Sequence, residues 1–200
     1  MEGKYTNFEE FIQYAKENPQ ELTCGMLTAT GADSVSLKQT LAGGLGCEIS
    51  DVEKYIKVVN YSSGSELSSA MVGGHININI TGADEIKGLI DSGDIVPLIS
   101  MSEERMSAYP NLECTAEYGI DSFVGTWRGI FCRKDTPPEA VAAMAKALKE
   151  AWDSDSYQEF MKNACYTDRA GYADAKEVQQ LVDAEYVTFE AYLKGAGLIQ

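Results

Sequence analysis

Apolar and polar residues follow two different periods along this chain, and the changes of period mark its elements. The stretch 54–80, KYIKVVNYSSGSELSSAMVGGHININI, shows the alternation most fully. Tyr55, Ile56, Val58 and Val59 predict a short buried strand that ends near Tyr61. The cluster Ser62-Ser63-Gly64-Ser65 breaks it, and Ser63 or Ser65 can N-cap a helix through Met71 with Glu66 in its first turn. Gly73-Gly74 stops the helix, and the strict alternation His75-Ile76-Asn77-Ile78-Asn79-Ile80 starts a new strand. Strand, loop, helix and strand make a βαβ unit with a right-handed crossover. Its loop lies at the C-terminal end of the first strand. In open α/β sheets ligands bind there, where a helix N-terminus offers N–H groups to an anion.

The pattern occurs twice more. Asn7 can cap a first helix whose apolar positions, Phe8, Phe11, Ile12 and Ala15, fall at helical spacing before Pro19. A strand over 22–27 then leads into the loop 28–36, which holds the hydroxyls of Thr28, Thr30, Ser34 and Ser36 and no basic residue. A helix follows through Leu41 and is predicted to end at Gly43-Gly44. Further on, Thr81-Gly82-Ala83-Asp84 leads into a helix over 85–90 and a strand over 95–101. Singly, each loop reads as an ordinary βα turn. Three together, all polar and small, favour a ligand edge.

The rest of the chain has another texture. Residues 102–119 are mixed, with a short helix predicted over 103–107 and another running to Tyr118. The stretch 125–134, GTWRGIFCRK, reads as a strand. Thr136 as N-cap, Pro137 as first helical residue and Glu139 two positions on predict a capping box. Val141, Met144, Leu148 and Ala151 form the stripe of that helix. Helices over 156–163 and 174–194 follow, the last with Val178, Leu181, Val182, Phe189, Tyr192 and Leu193 on one side. After Lys134 only helices are predicted. The expected organisation is α/β: a complete parallel-sheet, ligand-binding lobe over 1–125, then a returning strand and the helices of an incomplete lobe over 126–200.

The chain has 200 residues and a net charge of −15, which makes nucleic acid and anionic membranes poor partners. No apolar run approaches the roughly 20 residues that span a bilayer. Five cysteines lack CxxC spacing, and with one histidine they form no zinc pattern. They read as small buried hydrophobes. A Cys/His75 pair is the catalytic alternative, with nothing in the sequence to bring the two together. The start, MEGKYTNFEEF, lacks the pattern of a signal peptide, so the expectation is a cytoplasmic protein or a missing N-terminus.

Several marks in order resemble one known family, the periplasmic solute-binding receptors of tripartite tricarboxylate transporters, also called Bug receptors. Phe8-Glu9-Glu10-Phe11 with Tyr14-Ala15-Lys16 and Pro19 resembles the family's helix after its first crossover. Gly31 and Ser34 resemble its Gly-x-Gly-Ser loop, with Asp33 for the second glycine and Leu37 where many members have histidine. Tyr61 and Gly64 resemble its Tyr-x-Gly turn with one extra residue, and Gly73-Gly74-His75-Ile76-Asn77 its Gly-Gly-x-apolar-Asp, with Asn77 for the aspartate. Leu98, Ser102 and Arg105, then Pro110 to Glu117 and Gly119, continue the match, with departures at Glu113 and Cys114. Trp127-Arg128-Gly129 and Thr136-Pro137 resemble the strand that re-enters the first lobe. The order and spacing of these marks carry the likeness more than any one of them.

The resemblance implies a type II periplasmic-binding-protein fold holding a di- or tricarboxylate, or another small carboxylate, between two lobes. It implies membrane transporter subunits as partners and a periplasmic or extracellular place. It also implies that the first part of lobe one, with its Gly-rich carboxylate loop and signal peptide, is missing here. The expected ligand-binding residues are Thr28, Thr30, Gly31, Ser34, Tyr61, Ser63, Gly64 and Thr81, with neither cofactor nor metal. Hydrogen bonds to a charged group contribute roughly 1.5–3 kcal/mol each, so a few suffice without a basic side chain. Arg128 is read first as a hinge or ion-pair residue and second as a ligand partner. The leading reading is binding without chemistry. Against an enzyme, with Asp33 and Glu66 as an acid/base pair, stand the lack of a Walker loop and of a Gly-x-Ser-x-Gly elbow. A third reading is a self-associating or sensory interaction module derived from such a receptor, either a homodimer that exchanges or pairs its C-terminal helices or a monomer whose helices fold back on the complete lobe.

Overall fold

A computed structural model describes residues 4–28, 31–122, 128–168, 171–195 and 199. The backbone divides into two compact units, Met1–Val124 with Leu193–Gln200, and Gly125–Tyr192.

The first unit is built on a parallel sheet. Helix α1 (Phe8–Glu17) is capped by Asn7, whose side chain accepts from the Glu10 N–H, and buries Phe8, Phe11, Ile12 and Ala15 as its spacing requires. Strand β1 (Leu22–Met26) leads to α2 (Ala32–Leu45), a 3-10 turn (Ile49–Lys54) and β2 (Ile56–Asn60). Then come α3 (Gly64–Val72), β3 (Ile78–Asn79) and α4 (Ala83–Asp91). The strand order is β2-β1-β3, both pairs parallel, with Leu22 opposite Ile56 and Cys24 opposite Ile78.

Alternation along β1 divides the packing between two faces. Leu22, Cys24 and Met26 enter the main core with α1 and α2. Gly25 faces the other way, where Leu67 of α3, Ala70 and Ile76 form a second cluster with Tyr61. A methyl on Gly25 would lie 2.4 Å from Leu67 Cδ1, so only glycine lets α3 come this close. Helices therefore cover both faces, as predicted.

Other sequence expectations are corrected. The helix predicted to stop at Gly43-Gly44 runs on to Leu45, and Gly46, at φ 71°, caps it. The two inner glycines serve packing instead. A Cβ on Gly44 would meet Ile12 and Phe8 of α1 within 2.9 Å, and one on Gly43 would lie 2.7 Å from Ile120 Cγ1. Among the described residues β2 is an edge strand of the sheet, with only Ile56 fully buried. The strand expected over 95–101 is irregular, with one isolated bridge, Ser100 to Cys114. Pro97 has no N–H for a ladder and Val96 is exposed. Residues 103–107 form bends and turns, and the later helix is a single 3-10 turn, Thr115–Tyr118.

In the second unit the predicted strand over 125–134 is not found: 125–127 lie outside the described residues, and 128–134 have neither helix nor strand pairing and are exposed. Helix α5 (Pro138–Trp152) starts one residue later than predicted, with Pro137 as N-cap, so Thr136 makes no capping box. Two successive prolines hold the chain extended through Pro137 before it can turn helical. Helices α6 (Asp155–Asn163) and α7 (Ala175–Gly195) follow.

Candidate functional site

Three neighbouring parallel strands send their C-terminal ends to one edge of the sheet. The segments after β1, β2 and β3 therefore share that edge, each leading into a helix N-terminus. The Tyr61 N–H donates to Met26 O at 2.8 Å and ties the second loop to the end of β1.

The predicted residues take different roles. Thr28 Oγ1 accepts from the Gly31 N–H at 2.9 Å, and Gly31 is the N-cap of α2. Ser34 lies in the first turn of α2 and is 1% exposed, so its hydroxyl is withdrawn into the protein. Tyr61 is half-buried beside Leu67 and Ile76. Ser63 caps α3, its Oγ accepting from the Glu66 N–H at 3.3 Å, and Gly64 is the first residue of that helix. The Thr81 hydroxyl donates to Glu85 Oε2 at 3.1 Å. Thr30 lies outside the described residues.

The hydroxyls of Thr28, Ser63 and Thr81 are thus engaged within their own loops. Glu66 reaches back to the N–H and hydroxyl of Ser62, at 3.1 and 2.7 Å, and these bonds hold its carboxyl below the ordinary carboxylate range. Glu85 stands near the same helix end: a methyl on Gly64 would lie 3.7 Å from its Oε2. The N-terminus of α3 is therefore supplied with the chain's own carboxylates. The N-caps of α2 and α4 are Gly31 and Gly82, which have no side chain of their own to cap the helix. Helix ends of this kind present backbone N–H groups to an anion. The loops and first turns over 27–36, 60–67 and 80–86 contain no Lys, Arg or His.

Two asparagines were not singled out as site residues by the sequence reading, Asn77 at the N-terminal end of the β1–β3 pair and Asn79 toward the edge that carries the loops. Asn77 Oδ1 accepts from the Thr23 N–H, and the Asn77 N–H donates to Thr23 O, both at 2.8 Å. Asn79, opposite Gly25 in the β1–β3 register, has a buried Nδ2 with no partner among the described residues. Their alternation in HININI was the available signal.

The sequence's catalytic alternative finds no support in Cys24: burial pushes its thiol up to about 12, so no thiolate forms near neutral pH. His75 is exposed on the turn after α3. Among the described residues no three metal-ligating side chains cluster, and no helix is long and apolar enough to cross a membrane. A separate open depression of about 560 Å³ is lined by Asn7, Val96, Leu98, Arg105, Tyr109 and Glu113 among others, and by none of the predicted site residues. Arg105 and Glu117, matched separately to the family pattern, are bonded there, Nε to Oε1 at 2.7 Å.

Residues 2–198 match the family model described as the tripartite tricarboxylate transporter family receptor. A Cupriavidus necator protein, "UPF0065 protein in gbd 5'region", is 26% identical over 151 residues, 76% of this chain and 43% of that protein. A Bordetella pertussis UPF0065 protein is 25% identical and matched over 46% of its length. The chain thus spans less than half the length of these curated relatives. Among solved structures, an R. palustris protein with adipate superposes with TM-score 0.83 at 22% identity, over 98% of this chain and 62% of that one. MatC from Rhodopseudomonas palustris with bound malate superposes with TM-score 0.75 at 19% identity, over 94% and 62%. The periplasmic binding protein BugD gives 0.77 at 20% identity, over 98% and 63%. These likenesses establish an α/β fold with a small parallel sheet, of the periplasmic-binding-protein kind. By its match over nearly all of its length, the chain belongs to the tripartite tricarboxylate transporter receptor family.

Proposed function

We propose that this chain is the solute-binding component, or part of it, of a tripartite tricarboxylate-type transporter, and that it binds a small carboxylate without chemistry. The observation that carries the reading is the convergence of three βα loops at one sheet edge, with glycines as the N-caps of α2 and α4. A carboxylate there is held by backbone N–H groups, each bond to the charged group contributing roughly 1.5–3 kcal/mol. The solved neighbours with adipate and malate support this ligand class. Gly31, Gly64 and the backbone at Thr28, Thr30, Ser34 and Thr81 are the proposed contacts. Tyr61 and Ser63 shape the second loop. The proposed place of work is the periplasm, beside the membrane subunits of such a transporter.

Calorimetric titration with adipate, malate and a neutral diamide of adipate tests this reading. Saturable binding of either acid, without binding of the diamide and with the acid recovered unchanged, is the expected result. Indifference to every carboxylate offered, or conversion of one of them, overturns it.

A further inference from the structure

We propose that the backbone carbonyl of Ser36 is a shared acceptor, held by the Ser122 hydroxyl in this structure and open to the Thr40 hydroxyl, and that the competition between these two donors sets the alignment of the ligand edge at the start of α2. Its effect on binding rests on the carboxylate reading above; the competition itself does not.

Two buried hydroxyls point to this carbonyl. Ser122 Oγ donates to Ser36 O at 3.0 Å, across 86 positions of sequence. Ser122 is 2% exposed and Ser36 6%. Thr40, four residues after Ser36 in α2, is fully buried, and its Oγ1 has no hydrogen-bond partner among the described residues. A threonine inside a helix can donate to the carbonyl four residues back. For Thr40 that is Ser36 O, the acceptor that Ser122 occupies. The helix ladder uses one lone pair of this carbonyl, and the other serves Ser122 or Thr40. The unmet hydroxyl and the long-range bond are thus two sides of one competition.

The place of the carbonyl gives the competition a consequence. Ile120 fills the space at Gly43, seven residues beyond Ser36 and about two turns along the same face. Residues 120 to 122 therefore run along α2 toward its N-terminus, and Thr115 Oγ1 holds Ser122 in turn by donating to its carbonyl at 3.1 Å. Two residues after Ser122, at Val124, the first unit's main segment ends. Ser34, Val35, Ser36 and Leu37 are all buried, so the start of α2 is packed on nearly every side. Back-bonding from a threonine bends a helix at that turn. Handing the carbonyl to Thr40 therefore tilts the first turns of α2, whose N–H groups face the ligand edge. Ser122 keeps them aligned and acts as a positioning residue.

The test is a double-mutant cycle on the full chain, read by thermal denaturation and by calorimetric titration with adipate. In the wild-type background Thr40→Val removes an unpartnered buried hydroxyl and should raise the melting temperature. In the Ser122→Ala background Thr40 holds the carbonyl, so the same substitution should lower it. Hydroxyls that act independently give one shift in both backgrounds, and a general loss of packing does not reverse its sign. Ser122→Ala should weaken adipate binding about twofold to tenfold, the worth of one neutral hydrogen bond, and Thr40→Val should not weaken it. Equal shifts for Thr40→Val in the two backgrounds overturn the shared acceptor. Wild-type affinity in Ser122→Ala overturns its part in binding. Should Ser122→Ala not fold, Thr40→Val decides alone: a fall in melting temperature shows that its hydroxyl is already partnered and overturns the proposal. If the wild type binds no adipate, the carboxylate reading falls and takes the effect on binding with it, and the melting cycle still decides the competition.

Discussion

Asn77 and Thr23 hold each other by two hydrogen bonds of 2.8 Å, one through the asparagine side chain and one through its backbone. The pair closes the β1–β3 contact ahead of the two-residue strand Ile78–Asn79, where ladder bonds are few. The acceptor is a side-chain oxygen, and an aspartate oxygen can take the same place. Asn77→Asp should therefore be close to neutral in urea unfolding. Asn77→Ala leaves the Thr23 N–H without its acceptor and should cost about 1–3 kcal/mol. Equal midpoints for Asn77→Ala and the wild type would remove the pair from the account of how β3 is held.

Glycines in helices make opposite predictions according to what surrounds them. Gly44→Ala places a methyl 2.7 Å from Ile12 Cδ1, so the gain in helix propensity is overwhelmed by crowding and the protein should lose about 1–3 kcal/mol. Gly88, inside α4, has open space where its Cβ would go. Gly88→Ala should gain about 0.5–1 kcal/mol. Thermal denaturation of the two variants side by side checks the contrast, and a stabilising Gly44→Ala would contradict the α1–α2 packing described.

The Arg105–Glu117 pair sets a pH dependence. Bonds from the Arg105 guanidinium, and then from the Cys114 N–H, hold the Glu117 carboxyl down at about 2, below its ordinary 4.5. A depressed carboxylate contributes stability that is complete above the unfolded value and is lost as pH falls through the folded one. The difference in urea midpoint between wild type and Glu117→Gln should be full from neutral pH down to about 5, then shrink toward pH 2. A difference independent of pH across that window would show that the ion pair is not its source.

The charge around the proposed ligand edge predicts an unusual salt response. The three loops and first turns contain Asp33, Glu66, Asp84 and Glu85 and no cationic side chain. Salt therefore screens repulsion of a carboxylate more than attraction. Affinity for adipate or malate should hold or rise between about 50 and 500 mM salt. A severalfold fall would point to a lysine or arginine in contact with the ligand.

Local chemistry was legible in the sequence. Ser63, Glu66 and Gly73 mark the ends of α3 because capping depends on a few adjacent residues. Asn7 does the same for α1, and the spacing of Phe8, Phe11 and Ile12 announced its buried face. The order of three strand–loop–helix units also determined a parallel sheet with its loops on one edge, since only a crossover connects parallel strands. What tertiary structure alone decided is what each element meets. Gly43 and Gly44 read as a helix stop because glycine is locally a breaker, but Ile120, Ile12 and Phe8 need the space a side chain would fill. The stretch 95–101 looks like a strand by composition, but it finds a single bridge partner at Cys114, and a strand exists only where another pairs with it. The hydroxyls of Ser34 and Thr81 looked alike in sequence. One is buried in α2 and the other is spent on Glu85, because burial and bonding are set by neighbours that lie close only after folding.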